Sequence, residues 1–261
     1  YNHPEIPIDK VVKDDIRKIA NNVQDYIDED VDVVVGGPPC QGFSSANQQR
    51  IIDDPRNELY KYYIECVKKI LPKFVVMENV RGMLKVADQV VEDYESIEEK
   101  KNGFTYSYTV SYKILNSLDF SVAQSRERLI YIAIRNDVAE KKDITPKAIF
   151  EEICGENEDR PHYLLRDALE YIKPLDAPRI KNTNEKDDER TGKKIDVNYY
   201  SGDESPYLKL INDGRSIPVL FNHKARYVND INYEIYRLLN QGDDASDPKI
   251  SGIMPYSNRL H

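Results

Sequence analysis

Val31-Asp32-Val33-Val34-Val35-Gly36-Gly37-Pro38-Pro39-Cys40-Gln41-Gly42-Phe43-Ser44 decides the fold of this chain. The stretch opens as a near-continuous apolar run, the pattern of a strand covered on both faces in a parallel sheet. It stops abruptly at two glycines and two prolines, which hold the backbone extended and donate no ladder hydrogen bonds. Cys40 is thereby set at the carboxyl end of a strand, where open α/β sheets build their sites. Taken alone, a cysteine after a strand is more often a small buried hydrophobe than a nucleophile.

Working outward, the alternation of strand and helix predicts an α/β, doubly wound sheet. Leu59, Tyr63, Cys66, Val67 and Ile70 recur at helical spacing between Asn57 and Leu71, and Pro72 ends that helix. Phe74 to Met77 reads as a second buried strand. Residues 84–101 are predicted helical with Gly103 as terminator, and Tyr106–Leu115 and Arg128–Arg135 as two more strands. Upstream, Lys10-Val11-Val12 is a short strand candidate, followed by a weak helix over 16–28. From about residue 140 the periodicity weakens. Residues 181–194 hold no large apolar side chain and read as an exposed loop, and Tyr227–Leu239 holds one more helix. The reading is therefore two domains: 1–140, and a smaller irregular one over 141–261.

The 261 residues are 40% hydrophobic and 32% charged, an ordinary globular composition with no apolar run of membrane-spanning length. Three scattered cysteines exclude a disulfide framework or a zinc site, so no metal is expected, and they fit a reducing cytoplasm. The net charge of −9 weighs against a polyanionic partner, although a local basic surface can sit on an acidic chain.

Two further segments carry chemistry. Glu78-Asn79-Val80 leaves the second strand at its carboxyl end, and Gln124-Ser125-Arg126-Glu127-Arg128 enters the last one. Separately, the first could cap a helix and the second could be a solvated ion-pair face. Together with Pro38-Pro39-Cys40-Gln41 they resemble, in order and spacing, the DNA (cytosine-5) methyltransferase family. Asp54 to Leu59 matches the segment after that family's catalytic loop, and Asn222-His223-Lys224-Ala225-Arg226 is similar to an Asn-His-x-x-Arg segment of many members. Ser121-Val122-Ala123-Gln124 stands where the family has Gly-Val-Pro-Gln.

The resemblance implies S-adenosyl-L-methionine as cofactor and duplex DNA as partner. It implies an incomplete methyltransferase sheet with a target-recognition region, in a bacterial, cytoplasmic, nucleoid-associated enzyme of restriction–modification. Cys40 is implied as the nucleophile, Glu78 as the acid acting on the cytosine ring, and Arg126 and Arg128 as holders of the base. Asp15, Ile16, Pro39 and Leu59 are implied at the cofactor. Gln41, Ser44, Arg50, Arg56, His223 and Arg226 are implied at DNA, with Lys209, Arg215 and Lys224 as further candidates. The family's Gly-rich cofactor loop and closing segments are not found, so this chain alone is expected to be inactive and to need segments, or a second polypeptide, to complete the fold. A tRNA cytosine-5 methyltransferase, a catalytically silent DNA-binding homologue and a thiol enzyme with a histidine partner are the competing readings.

Overall fold

The computed structural model describes residues 5–39, 58–155, 160–181, 186–243 and 247–254. The chain divides into two compact units, Tyr1–Tyr163 and Leu164–His261. Residues 141–155 and 160–163 thus belong with the first unit.

In the first unit, strands β1 (Val33–Gly36), β2 (Phe74–Val80), β5 (Tyr108–Asn116) and β6 (Glu127–Arg135) form one open sheet in the order β1-β2-β6-β5. The β1–β2 pair is parallel, and the crossover between them carries helix α2 (Glu58–Ile70). The pairs β2–β6 and β6–β5 are antiparallel. Alternation along each strand sorts the side chains onto two faces. Val75, Met77, Leu129, Tyr131 and Ala133 face one way and meet Tyr60, Tyr63 and Val67 of α2, with Val90 and Tyr94 of helix α3 (Ala87–Glu95). Ile132 and Ile134 face the other way and meet Phe150 and Ile153 of helix α5 (Pro146–Gly155), beside Val138 of helix α4 (Asn136–Lys142). With helices on both faces, the sheet is doubly wound, as its sequence pattern predicts.

Helix α2 shows why the sequence folds this way. Its apolar groups line one face, Lys68 and Lys69 sit in the last turn where they complement the helix dipole, and Leu71 turns left-handed (φ 55°) just ahead of Pro72. The buried Cys66 packs with Ala20 and Val23, and burial pushes its thiol pKa up, so it is a core residue.

Four sequence expectations are corrected. Val11 and Val12 form no strand: a 3-10 turn, Ile8–Lys10, precedes them, and no strand pairs with them among the described residues. The weak helix shortens to α1 (Ile16–Ile19) and a 3-10 turn over Val23–Tyr26. The helix expected over 84–101 is a 3-10 turn (Arg81–Val86) followed by α3, and the chain then forms the hairpin β3 (Glu99–Lys101) and β4 (Phe104–Tyr106). Asn102 (φ 52°) and Gly103 (φ 82°) are its turn, the left-handed pair that a two-residue hairpin requires. Lastly, β1 is not covered on both faces: Val33 and Val35 are 48% and 72% exposed.

The second unit is small and irregular. Its described residues form helices α6 (Leu165–Leu169), α7 (Pro206–Ile211), α8 (Asp230–Leu238) and α9 (Pro248–Ser251) and a two-stranded antiparallel sheet of β7 (Gly192–Asp196) and β8 (Leu220–Lys224). The end of the polar run 181–194 is therefore strand: Gly192 allows close approach, since a Cβ there would fall 2.1 Å from the His223 carbonyl oxygen. Asn222 adopts a left-handed conformation (φ 58°), which breaks the side-chain alternation of β8 and lets His223 reach Asp196.

Candidate active site

The topology brings three sequence segments to one edge of the sheet. β1 and β2 are parallel, so Gly36-Gly37-Pro38 and Glu78-Asn79-Val80 leave at the same edge. β6 is antiparallel to β2 with Arg128 opposite Val80, so Arg126 and Arg128 enter there. Cys40, Gln41, Ser44, Arg50 and Arg56 lie outside the described residues.

Contacts between the segments are specific. The buried Asn79 donates from Nδ2 to the Pro38 carbonyl at 3.0 Å, and its Oδ1 accepts from the Val80 N–H at 2.9 Å. This side chain ties the end of β2 to the Pro-Pro turn. Glu78 divides its two oxygens. Oε1 faces Arg128 Nε at 2.6 Å, an ion pair whose N–H does not point along the contact. Oε2 lies over Gly37, 3.2 Å from where any Cβ at that position would stand. At Gly36 a Cβ would fall 2.3 Å from the Tyr63 ring, whose hydroxyl donates to the Val76 carbonyl at 3.3 Å. Close approach thus demands glycine at position 36, while at position 37 a side chain would only have to nudge the Glu78 carboxylate.

On the next rung, Arg81 Nη1 meets Glu127 Oε2 at 2.5 Å. Glu127 and Arg128 alternate along β6, so the two ion pairs hold β2 and the turn that follows it to opposite faces of β6.

The loop ahead of β6 is held from its backbone. Asn116 Oδ1 accepts from the N–H groups of Leu118 and Arg126, each at 3.1 Å, and the Ser117 N–H donates to the Arg126 carbonyl at 3.1 Å. The exposed Arg126 guanidinium has no partner among the described residues. Ser121 sits left-handed (φ 59°) and buried in this loop. Asn79, Asn116, Ser117 and Tyr63 are supports that the sequence reading missed. The signal for Asn79 was its place between Glu78 and Val80; for the others, only the folded contacts show it.

At the other sequence-derived positions, Asp15 caps α1 and pairs with Arg17, whose hydrogen bond holds the carboxyl below the ordinary range. Ile16 and Leu59 are half-buried and Pro39 is exposed. In the second unit, His223 is turned inward, its Nδ1 2.9 Å from Oδ2 of the buried Asp196. Lys224 pairs with Asp187 at 3.1 Å and Arg215 with Asp213 at 3.4 Å, while Lys209 and Arg226 are exposed. Among the described residues no helix is long and apolar enough to cross a membrane.

An open α/β sheet with Glu-Asn-Val and Arg-x-Arg segments meeting a Gly-Gly-Pro-Pro turn defines a class, and comparison with known proteins names it. Residues 1–253 match the C-5 cytosine-specific DNA methylase family, and the chain belongs to that family. Among curated relatives, it is 37% identical over 134 residues to the type II methyltransferase M.Sau96I of Staphylococcus aureus, covering 51% of this chain and 30% of that protein. It is 32% identical over 205 residues to M.NgoPII of Neisseria gonorrhoeae, covering 78% of this chain and 54% of the relative. With M.AquIA of Picosynechococcus sp. it shares 38% identity over 142 residues, 51% of this chain and 56% of the relative. The chain thus spans about a third to a little over half of these relatives' lengths. A solved E. coli structure, described as a prophage-encoded DNA modification methyltransferase, is similar over 64% of this chain and 43% of its own, at 25% identity and a TM-score of 0.47.

Proposed function

We propose that this chain carries the catalytic motifs of an enzyme that methylates C5 of cytosine in duplex DNA, with Cys40 as covalent nucleophile. The observation that carries the reading is the meeting of Gly37-Pro38, Glu78-Asn79 and Arg128 at one sheet edge, with Cys40 two residues after Pro38 in sequence.

Cytosine C5 is a poor nucleophile, and addition at C6 splits one hard step into easier ones. The Cys40 sulfur forms a bond to C6, and the displaced electron pair moves toward N3. Glu78 donates or shares the proton that N3 takes up. The resulting enamine-like C5 carries the new methyl group. Loss of the C5 proton to solvent then returns the electrons that expel Cys40. Arg128 anchors one oxygen of Glu78, and Arg126, which has no partner among the described residues, is available to hold the O2 of the base. A base in this chemistry must leave the stack, at a cost of a few kcal/mol.

For S-adenosyl-L-methionine, Asp15 and Ile16 offer a carboxylate acceptor beside an apolar side chain, the pairing an adenine amino group and ring call for, with Pro39 and Leu59 as the other proposed contacts. When bound, this cofactor supplies an electrophilic methyl group. Its Asp15 partner must compete with Arg17.

Duplex DNA carrying 5-fluorocytosine at the target tests the reading, because fluorine blocks the final proton loss. With S-adenosyl-L-methionine and the enzyme completed to the length of its relatives, a denaturant-resistant adduct is expected, absent in Cys40→Ala. Undiminished adduct in Cys40→Ala refutes the assignment, and an adduct formed with tRNA alone would give the function to the competing substrate.

A further inference from the structure

Arg126 stands one residue outside the sheet. The last pair of the β5–β6 ladder is Asn116 with Glu127, and β6 begins at Glu127. Continued by one rung, Ser117 and Arg126 would exchange two main-chain hydrogen bonds. Only half of that rung is made. The Ser117 N–H donates to the Arg126 carbonyl at 3.1 Å, while the Ser117 carbonyl accepts instead from the Val122 N–H at 3.1 Å, where the chain turns back through the 3-10 turn Ser117–Phe120. The Arg126 N–H goes to Asn116 Oδ1, also at 3.1 Å. A side-chain oxygen thus stands in for the missing main-chain acceptor. The same oxygen takes the Leu118 N–H at 3.1 Å, and Asn116 Nδ2 donates to Ser125 Oγ at 3.3 Å.

We infer that Asn116 is a positioning residue for Arg126, supplying the half-rung that keeps this arginine in register one residue beyond the ladder. Side chains two apart on an extended strand share a face. Arg128, two residues on, meets Glu78 at 2.6 Å. The Asn116 bond therefore holds Arg126 to the face on which Arg128 and Glu78 meet, with its guanidinium engaging no other described residue. Without that bond Arg126 would be the frayed end of a strand, and orienting a long side chain from a loose backbone costs more conformational entropy. Asparagine serves here through its carbonyl oxygen; the donation to Ser125 is secondary, because that serine is exposed and water can replace the bond. The inference deepens the reading of Arg126 as holder of the base O2 and rests on it.

Two measurements test it. In the 261-residue chain, amide hydrogen exchange should find the Arg126 N–H protected in wild type and in Asn116→Asp, which keeps an acceptor oxygen, and unprotected in Asn116→Ala. In the enzyme completed to the length of its relatives, the rate of adduct formation on duplex DNA carrying 5-fluorocytosine should fall about 10-fold in Asn116→Ala, part of the roughly 100-fold that a 1 Å misplacement can cost. Duplex affinity should stay at the wild-type value, and Asn116→Asp should recover most of the rate. In an Arg126→Ala background, Asn116→Ala should slow the reaction no further, an outcome that a merely structural role would not produce. A wild-type rate in Asn116→Ala, or an equal slowing with and without Arg126, overturns the inference alone. Should Asn116→Ala lose its cooperative melt, Asn116→Asp decides: a protected Arg126 amide with near-wild-type rate supports the acceptor role, and loss of either overturns it. A wild-type rate in Arg126→Ala overturns the inference and leaves Cys40 as nucleophile. Absence of any adduct with the wild-type enzyme overturns both this inference and the reading beneath it.

Discussion

Gly36→Ala is the sharpest probe of how the site is built. The added methyl would stand 2.3 Å from Tyr63 Cε2, 3.0 Å from Cδ2 and 3.1 Å from Cζ, where carbon atoms prefer roughly 3.5–4.0 Å. The ring has little room to give: Tyr63 is 8% exposed, packs in the main core with Tyr60 and Met77, and is tied by its hydroxyl to Val76. Overpacking of this kind costs about 1–3 kcal/mol. Alanine also restricts the unfolded chain, which offsets about 0.4–1 kcal/mol. The net loss is then about 1–2 kcal/mol, or about 2–8 °C in melting temperature for a unit of this size. Thermal unfolding followed by circular dichroism measures it, and a double-mutant cycle with Tyr63→Leu isolates its cause. The smaller side chain should cancel most of the penalty, a coupling of about 1 kcal/mol. A wild-type melting temperature for Gly36→Ala, or the same penalty in the Tyr63→Leu background, would show that Gly36 is not there to admit the ring.

Two further outcomes follow from single residues. Ser121→Gly should raise stability by about 0.5–1 kcal/mol in urea unfolding, because a left-handed non-glycine residue is strained; a loss would mean that the buried serine hydroxyl outweighs the strain. Burial works against the charged form of Asp196, yet His223 and the Asn198 N–H hold its carboxyl below the ordinary range. A depressed carboxyl pKa contributes stability that is present above about pH 4 and lost as pH falls through the native value. Urea midpoints across acid pH should therefore fall less steeply for Asp196→Asn than for wild type, and parallel curves would contradict the assignment.

The legible part of this structure was the part set by short-range pattern. Strands β1, β2, β5 and β6 and helix α2 announce themselves through apolar runs and helical spacing. The helix expected over 84–101 failed because Asn102-Gly103 was read as a terminator when it is a hairpin turn, and both uses draw on the same left-handed conformation. Strand β7 hid in a polar run because its pairing comes from Leu220–Lys224, far along the chain. The same distance effect governs the site. Glu78, Arg126 and Arg128 were legible as motif members, and the structure brings Glu78 and Arg128 into contact. Asn79 holding Pro38 spans 41 residues of sequence, and Asn116 holding Arg126 depends on a loop closing, so neither role is written in local residue types.

The register of β2 against β6 has a consequence beyond the sheet itself. Glu78 and Arg128 meet because the pairing sets Val80 against Arg128 and Glu78 against Ile130. That alignment is held several rungs away, where Val75, Met77, Tyr131 and Ala133 interlock in the core. A slip of one residue would turn Leu129 and Tyr131 toward the carboxylate and carry Arg128 to the far face. The core therefore works as a caliper for the charged edge. Loosening it at Val75 or Ala133 would be felt first as a misaligned Glu78–Arg128 contact, in a protein that still folds.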